Sequence, residues 1–212
     1  MLLIAKDIEP DALRQDREDG NSFKGKRCGK ELNDALIKNQ GYLCVYCMKR
    51  IELPAVRVEH YKPRRHKELV LVYDNLFLAC PGNEGKGAAR HTCDVKKGDN
   101  EIQIDPLNPV HIKQIQYGSG GNIFSTIEEH NDDLNVILNL NEAELLRIRK
   151  MYYDIIAKKI QRAKQDGELS YNFLSGLLLK YRRKKEEELL PFCGVAIGYI
   201  EREMEAMREV GS

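Results

Sequence analysis

The 212-residue sequence predicts an α+β fold in which a short β-containing region lies between helices and is followed by a helical half. Residues 31–40 carry apolar side chains at helical spacing, whereas residues 55–60 alternate with the period of a β-strand. From position 141 onward, apolar residues again recur at helical spacing. The chain is long enough for a compact domain with a helical appendage. We therefore expect two units, at residues 1–110 and 111–212.

The elements predicted for the first unit are short and have recognisable ends. The helix over 31–40 should stop at Gly41, because glycine readily ends a helix. The first strand should end at His60, and the apolar run at 75–80 predicts its partner. Residues 94–97 fit a short helix closed by the glycine that follows. The predicted order is strand, strand, helix.

The second unit should begin with a hairpin and continue as helices. Residues 116–124 have the Gly and Asn content of a hairpin turn. Asn141 is the expected N-cap of the next helix, with Glu144 completing a capping box. A second helix should run from Ser170 to Leu190, and a third should begin at Pro191. The first of these helices shares one predicted apolar face, formed by Leu145, Ile148, Tyr152, Ile155 and Ile160.

The composition is that of an ordinary globular protein, with 34 Lys and Arg against 33 Asp and Glu. No apolar run is long enough to span a bilayer, and the opening Met-Leu-Leu-Ile is followed at once by charged residues, unlike a signal peptide. We expect a cytoplasmic protein without a membrane contact. Residues 41–100 contain eleven Lys and Arg against seven Asp and Glu, so a modest basic excess is concentrated there.

Four of the six cysteines predict a structural zinc site. Cys44 and Cys47 form a Cys-x-x-Cys, and Cys80 and Cys93 follow as a more widely spaced pair. Four thiolates are the tetrahedral soft-ligand set that zinc prefers. The twelve residues between Cys80 and Cys93 include three glycines, so this loop can return its ends to one point.

Two alternatives stand beside the zinc site: a redox Cys-x-x-Cys, or four unrelated thiols. A redox motif normally opens a helix in a βαβ unit, which the residues after Cys47 do not suggest. His91 is the substitute ligand if one cysteine fails. Cys28 and Cys193 are interpreted as small apolar residues.

Two carboxylates and a histidine lie beside the cysteine pairs in sequence. Glu59 and His60 end the first predicted strand, and Asp94 follows Cys93. If the cysteines tie the hairpin to the short helix, all three side chains should meet in one small region. One imidazole beside two carboxylates suits metal-assisted hydrolysis of a phosphodiester, with the histidine as general base.

The order of these motifs resembles HNH (ββα-metal) endonucleases with a treble-clef zinc. The motifs are Cys-x-x-Cys, Glu-His-x-x-Pro, Tyr-x-Asn-Leu-x-x-x-Cys and Cys-Asp-x-Lys-Lys-Gly. The longer frame, over residues 31–150, is similar to the HNH subunits of Septu and retron anti-phage systems. Those subunits work beside an ABC-type ATPase. The resemblance implies a ββα-metal unit with flanking helices, and residues 111–212 as a partner-docking region.

The resemblance also assigns roles to residues. It implies that His60 is the general base and that Asn75 orients the loop presenting it. Glu59 and Asp94 would hold a catalytic Mg²⁺ or Mn²⁺, and both depart from the residues more common in the family. The expected nucleic-acid contacts are Arg64, Arg65, Lys96 and Lys97.

The expected substrate is DNA, with RNA open, because nothing in the motifs reads a base or a 2′-hydroxyl. The expected partner is the ATPase, and a homodimer within a larger complex is a further expectation. A different class of function is a zinc-organised module that binds nucleic acid or protein without catalysis. Two carboxylates beside a phosphate site argue against such a module, because they would repel the ligand unless a cation lay between them.

Overall fold

The computed structural model describes residues 1–210, with the backbone alone at Val210, and confirms the α+β class. Two antiparallel two-stranded sheets lie among helices in these residues. In chain order the elements are α1 (Asp11–Glu18), α2 (Gly29–Asn39), β1 (Arg57–His60), β2 (Leu76–Ala79), α3 (Cys93–Lys97), α4 (Pro109–Lys113), β3 (Ile115–Tyr117), β4 (Ile123–Ser125), α5 (Glu128–Asp132), α6 (Ala143–Gln165), α7 (Tyr171–Arg182) and α8 (Cys193–Val210). None of the described helices is long and apolar enough to cross a bilayer.

The predicted strand, strand and helix form as β1, β2 and α3. The strands pair antiparallel from Arg57 opposite Ala79 to His60 opposite Leu76. All four residues of β2 are buried and belong to the hydrophobic core. Gly98 ends α3 at φ +52°, as the sequence predicts.

The loop between β2 and α3 closes through a glycine. The backbone N–H of Thr92 donates to the carbonyl oxygen of Gly82 at 2.9 Å. A Cβ on Gly82 would lie 2.2 Å from the Thr92 carbonyl oxygen, so only glycine permits this approach. The contact brings the two ends of the loop together, which places Cys80 next to Cys93.

The hydrophobic core divides into two clusters. The larger one includes Leu36 and Leu78 from the first predicted unit and Leu138 and Leu145 from the second. The smaller one is formed within α6, α7 and α8. Residues from both sides of position 110 therefore share one core, while the far end of the helical half has its own.

The start of α6 differs from the prediction. Its N-cap is Glu142, whose carboxylate accepts the backbone N–H of Glu144 at 2.8 Å. The Asn141 side chain instead pairs with the backbone of Ile123 in β4, accepting its N–H and donating to its carbonyl oxygen. Asn141 therefore joins the hairpin to α6, because a tertiary partner competes successfully with the local cap.

The other helices of the second unit also need correction. Ile155 is 57% exposed and Ile156 is buried, so the apolar face of α6 is rotated by one residue near its middle. α7 ends at Arg182, eight residues before the predicted Leu190, and α8 begins at Cys193 rather than at Pro191. A short turn closed by Lys185 and Glu188 occupies the difference, where charged side chains have no core to face.

Candidate functional site

Four cysteines form a compact buried cluster. The Sγ atoms of Cys44, Cys47, Cys80 and Cys93 all lie within 4.8 Å of one another. Cys80 Sγ is 3.7 Å from that of Cys47 and 3.8 Å from that of Cys93. A tetrahedral ion with Zn–S bonds of about 2.3 Å requires S–S edges of about 3.8 Å. The four cysteines can therefore hold a metal ion such as zinc.

The electrostatics of the cluster also fit a cation. Hydrogen bonds among the thiols, with Cys44 as the first partner, lower the pKa of Cys80 and raise the pKa values of Cys47 and Cys93. Loss of the proton from Cys80 is thus favoured, whereas Cys47 and Cys93 tend to keep theirs. A metal ion removes this competition, because it stabilises every thiolate at once.

Local backbone geometry presents the cysteines to one another. The backbone N–H of Cys44 donates to the carbonyl oxygen of Lys49 at 2.9 Å, which makes Cys44 to Cys47 a tight turn. Cys80 directly follows β2, and Cys93 begins α3. A metal in this cluster would tie the turn, the hairpin and the helix together.

A pocket of about 520 Å³ is lined by residues of β1 and α3. Glu59, His60 and Asp94 all line it, together with Arg64. Among the described residues, however, only the four cysteines form a metal-ligand group of three or more His, Cys, Asp or Glu. The three predicted residues thus share a pocket, but their ligand atoms do not converge on one point.

His60 is held in one orientation by two hydrogen bonds. Its Nε2 lies 3.1 Å from the carbonyl oxygen of Val70, an acceptor, so Nε2 carries the proton. Nδ1 is then unprotonated, and it accepts Arg64 Nε–H at 3.3 Å. Burial, and the positive charge of Arg64, lower the pKa of His60 to about 4. The imidazole is therefore neutral near pH 7, with its lone pair on the nitrogen beside Arg64.

Asn75 fastens the chain segment that follows His60. Its Oδ1 accepts the backbone N–H of Lys62 at 2.6 Å, and its Nδ2 donates to the carbonyl oxygens of Lys62 and Leu69 at 3.0 and 3.1 Å. The side chain is buried, so water does not compete for these bonds. Both ends of the segment that carries Val70 are thereby fixed relative to β1.

The two carboxylates are each paired with a cation of the chain. Glu59 Oε1 accepts the Tyr46 hydroxyl at 2.7 Å and Lys97 Nζ at 2.8 Å. Asp94 Oδ2 lies 2.6 Å from Arg57 Nε. Each carboxylate is thus paired within the chain, and a divalent ion would have to share it with the lysine or the arginine.

The protonation of Glu59 reflects its surroundings. Burial, followed by the hydrogen bond to Asp94, raises the pKa of Glu59 to about 8, although Lys97 opposes the shift. Near neutral pH the Glu59 carboxyl group therefore retains its proton. A divalent ion that binds Glu59 has to displace this proton.

The four predicted phosphate contacts have different surroundings. Arg64 lines the pocket and Lys96 is exposed on α3. Arg65 is ion-paired with Glu101 and also donates to the carbonyl oxygen of Asp99. Lys97 is 1% exposed, because its ammonium turns inward to Glu59 and to the carbonyl oxygen of His60. In this arrangement Lys97 neutralises the site from within and does not face solvent.

Several residues that line the pocket, or that contact its side chains as Tyr46 does, are missing from the sequence-based prediction. Arg57 could have been found, because residues two apart on a strand share a face and Arg57 precedes Glu59 by two. Tyr46 lies inside the Cys-x-x-Cys turn, where an aromatic side chain is typical of packing around a metal. Phe23 and Lys26 also line the pocket, and nothing in their local sequence signals this.

Fold and site together define a class of protein: a ββα unit, tied by a four-cysteine cluster, that carries a histidine beside two carboxylates. No protein-family model matches the chain. The chain is similar to a protein of Vibrio cholerae serotype O1 biovar El Tor that is named as an HNH endonuclease of retron Vc95, an assignment made by inference. The two are 28% identical over 172 residues, which is 76% of this chain and 82% of that protein. The resemblance to a retron-type HNH endonuclease is thus confirmed, and it supports nuclease function at the family level.

Proposed function

We propose that the chain is a metal-dependent endonuclease that hydrolyses phosphodiester bonds of nucleic acid, with DNA the favoured substrate. The observation that carries this proposal is the neutral His60, whose Nδ1 faces a pocket that also contains Glu59 and Asp94. General bases, carboxylate ligands and a cationic wall are the parts that phosphodiester hydrolysis needs.

His60 would accept the proton of the attacking water at Nδ1. Its Nε2–H is held by Val70, so the ring keeps its tautomer and orientation as the proton arrives. Arg64 occupies Nδ1 in this structure, so the water takes its place when Arg64 moves to a substrate phosphate. A positioned general base accelerates such a step roughly 10²–10⁴-fold.

Glu59 and Asp94 would hold the divalent ion, Mg²⁺ or Mn²⁺, through their carboxylate oxygens, since both residues line the pocket. When bound, the ion would supply charge neutralisation at the scissile phosphate and at the leaving 3′ oxygen, giving 5′-phosphate and 3′-hydroxyl ends. Lys97 and Tyr46 fix the Glu59 carboxylate, and Arg57 fixes that of Asp94. Two hard oxygen ligands favour Mg²⁺ or Mn²⁺ over zinc at this position.

The cysteine cluster would hold zinc in a treble-clef arrangement, outside the reaction itself. Its role would be to keep the hairpin and α3 in register, so that Glu59, His60 and Asp94 face one pocket. The S–S distances of 3.7 and 3.8 Å support zinc at this position.

We further propose that the nuclease acts in the cytoplasm as an anti-phage effector beside an ABC-type ATPase, in a retron or Septu-like system. The name of the Vibrio cholerae relative supports the retron setting. Residues 111–212 are the proposed partner-docking unit, and homodimerisation within a larger complex is a further part of the proposal.

The direct test is nicking of supercoiled plasmid by the purified chain, with Mg²⁺ or Mn²⁺ and with EDTA. Wild type should nick the plasmid only with metal, and His60→Ala should lose roughly 10²–10⁴-fold in rate. His66→Ala is the matched control, because His66 pairs with Glu101 and is not among the pocket-lining residues. The assay is repeated with the ATPase encoded beside the gene if the chain alone is silent.

The alternative function is a non-catalytic module that binds nucleic acid or protein. The internal pairing of both carboxylates favours it to some degree, because a paired carboxylate repels phosphate less. Equal results for wild type and His60→Ala, with the ATPase present, would select the binding module.

A further inference from the structure

The loop between α1 and α2 forms a wall of the pocket, although it is distant in sequence from both strands. We name residues 19–28 the Phe23 loop. The Phe23 ring meets the His60 ring edge-on, with centroids 4.5 Å apart. Phe23 and Lys26 line the pocket together with His60 and Arg64. None of the sequence motifs considered above includes this loop.

Both ends of the Phe23 loop are fastened to one buried carboxylate. Asp16 on α1 accepts the side-chain N–H of Asn21 at 2.7 Å and the backbone N–H groups of Arg27 and Cys28 at 2.7 and 2.8 Å. Asp16 is 1% exposed, so these bonds are shielded from water. The loop therefore has fixed ends, and its tip extends to the pocket as a defined element.

Phe23 gathers two cations at the pocket. Lys26 Nζ lies 3.8 Å from the centroid of its ring, and the Arg64 guanidinium carbon lies 4.8 Å from it. Lys26 and Arg64 form no ion pair within the described residues, whereas Arg57 on the same pocket pairs with Glu84 and Asp94. The pocket, which Glu84, Asp94 and Asp99 also line, thus presents two cations that form no ion pair and are held in place by one aromatic ring.

We propose that the Phe23 loop is a phosphate clamp for the nucleic-acid backbone, in which Lys26 and Arg64 bind phosphates and Phe23 is the positioning residue. The proposal rests on the proposed function for the identity of its ligand. Two cations that form no ion pair and lie at a hydrolytic pocket can bind the phosphates of a nucleic-acid backbone. On binding, Arg64 exchanges His60 Nδ1 for a phosphate oxygen, so the clamp closes and the base becomes available in the same movement.

The test is binding of a fluorescein-labelled DNA duplex to the full-length chain without added Mg²⁺ or Mn²⁺ and without a chelator, so that the cysteine cluster keeps its metal, measured by fluorescence anisotropy over a range of salt concentrations. Lys26→Ala should weaken binding roughly tenfold, and the slope of log K against log salt should shrink by about 0.9, the value for one lost phosphate contact. Lys24→Ala is the matched control, because Lys24 is exposed on the same loop and is not among the pocket-lining residues. Its affinity and slope should match those of wild type.

Phe23 is tested by two substitutions. Phe23→Ala should weaken binding and lower the salt slope although no charge is removed, because Lys26 and Arg64 lose their support. Phe23→Trp should restore both, since tryptophan offers the strongest face to a cation. A merely structural role for Phe23 would change thermal stability and leave the salt slope unchanged.

The outcomes separate the clamp from the nuclease. If Lys26→Ala and Lys24→Ala bind alike while wild type nicks plasmid, the clamp is wrong and the nuclease stands. If binding depends on Lys26 but the chain does not nick plasmid even with metal and the ATPase added, the proposed nuclease function is wrong. The clamp then stands as a binding surface. A wild-type chain that does not bind DNA overturns the clamp.

Discussion

Side chains that can lose a proton are clustered in two places, the four cysteines and the carboxyl groups of the pocket, and their charge is balanced differently in each. The four cysteines have one another as side-chain partners, and no lysine or arginine of the described residues donates to them. Glu59 and Asp94, in contrast, are paired with Lys97 and Arg57. The cysteine cluster is incomplete without an external cation, whereas the carboxylates are already compensated by the chain.

This difference predicts how tightly a metal ion would bind to the cysteine cluster and to the carboxylates of the pocket. A metal in the cysteine cluster contributes to folding, because the thiolates have no other partner. A metal in the pocket competes with the proton of Glu59 and with the ion pair between Asp94 and Arg57, so it should bind more weakly and exchange readily. The cysteine cluster is therefore suited to a permanently bound structural metal, and the pocket is suited to a metal that arrives with the substrate.

The largest effect should come from breaking the cysteine cluster. Cys93→Ser should abolish stoichiometric zinc, measured by atomic emission, and lose more than about 5 kcal/mol of unfolding free energy, since structural zinc contributes roughly 10–16 kcal/mol in finger peptides. The control is Cys28→Ala, a buried cysteine outside the cluster, which should keep its zinc and lose about 1–3 kcal/mol. Equal losses of zinc and stability in both variants would show that the cluster holds no structural metal.

The next effect concerns the internal countercharge of the pocket. Above pH 8, where Glu59 is ionised, Lys97→Met should lose roughly 3–5 kcal/mol of unfolding free energy, because it breaks a buried ion pair. Adding Glu59→Gln should recover part of this loss, since the neutral amide that replaces the carboxylate still accepts from the Tyr46 hydroxyl. Lys96→Met, on the exposed face of the same helix, should change stability by less than about 0.5 kcal/mol. A double variant no more stable than Lys97→Met would refute the pairing.

The pH dependence of metal binding should distinguish the sites further. Since the pKa of Glu59 is raised to about 8, this carboxyl holds a proton that the metal must displace. Mn²⁺ affinity, measured by titration calorimetry, should fall up to about tenfold for each pH unit below pH 8 and level off above it. Glu59→Gln should bind Mn²⁺ weakly at every pH. An affinity that is the same near pH 6.5 and pH 8.5 would contradict the raised pKa of Glu59.

The same shift in the pKa of Glu59 affects the stability of the metal-free chain, and its sign is the reverse of that for an ordinary carboxylate. Between the unfolded pKa of 4.5 and the folded value of about 8, the native state retains a proton that the unfolded state has lost. The contribution of Glu59 to stability is therefore present below pH 4.5 and is lost as pH rises through this window. The loss is at most about 1.4 kcal/mol per pH unit.

The smallest effect should come from the half-exposed pair at the pocket edge. Arg57→Leu should change unfolding free energy by less than about 1 kcal/mol, because its partners remain accessible to water. Freed from Arg57, Asp94 should bind Mn²⁺ a few-fold more tightly in the same calorimetric titration. Unchanged affinity would mean that Arg57 does not compete with the metal.

The sequence by itself determined the cysteine quartet, the hairpin and the short helix. Metal-binding residues have few workable spacings, and strand alternation and a closing glycine are local signals. The same locality let the resemblance place Glu59, His60 and Asp94 near one another. Where local signals competed with distant partners, as for Asn141, the prediction was wrong because the distant partner won.

Only the tertiary structure decided which charges face the pocket and which face inward. Lys96 and Lys97 are neighbours in sequence, yet the first is exposed and the second is buried against Glu59, because a helix turns adjacent residues about 100° apart. The Phe23 loop reaches His60 through contacts between distant parts of the chain, which no local pattern encodes. The sequence thus supplied the proposed ligands and the proposed base, and packing decided their countercharges and the wall that would bind the substrate.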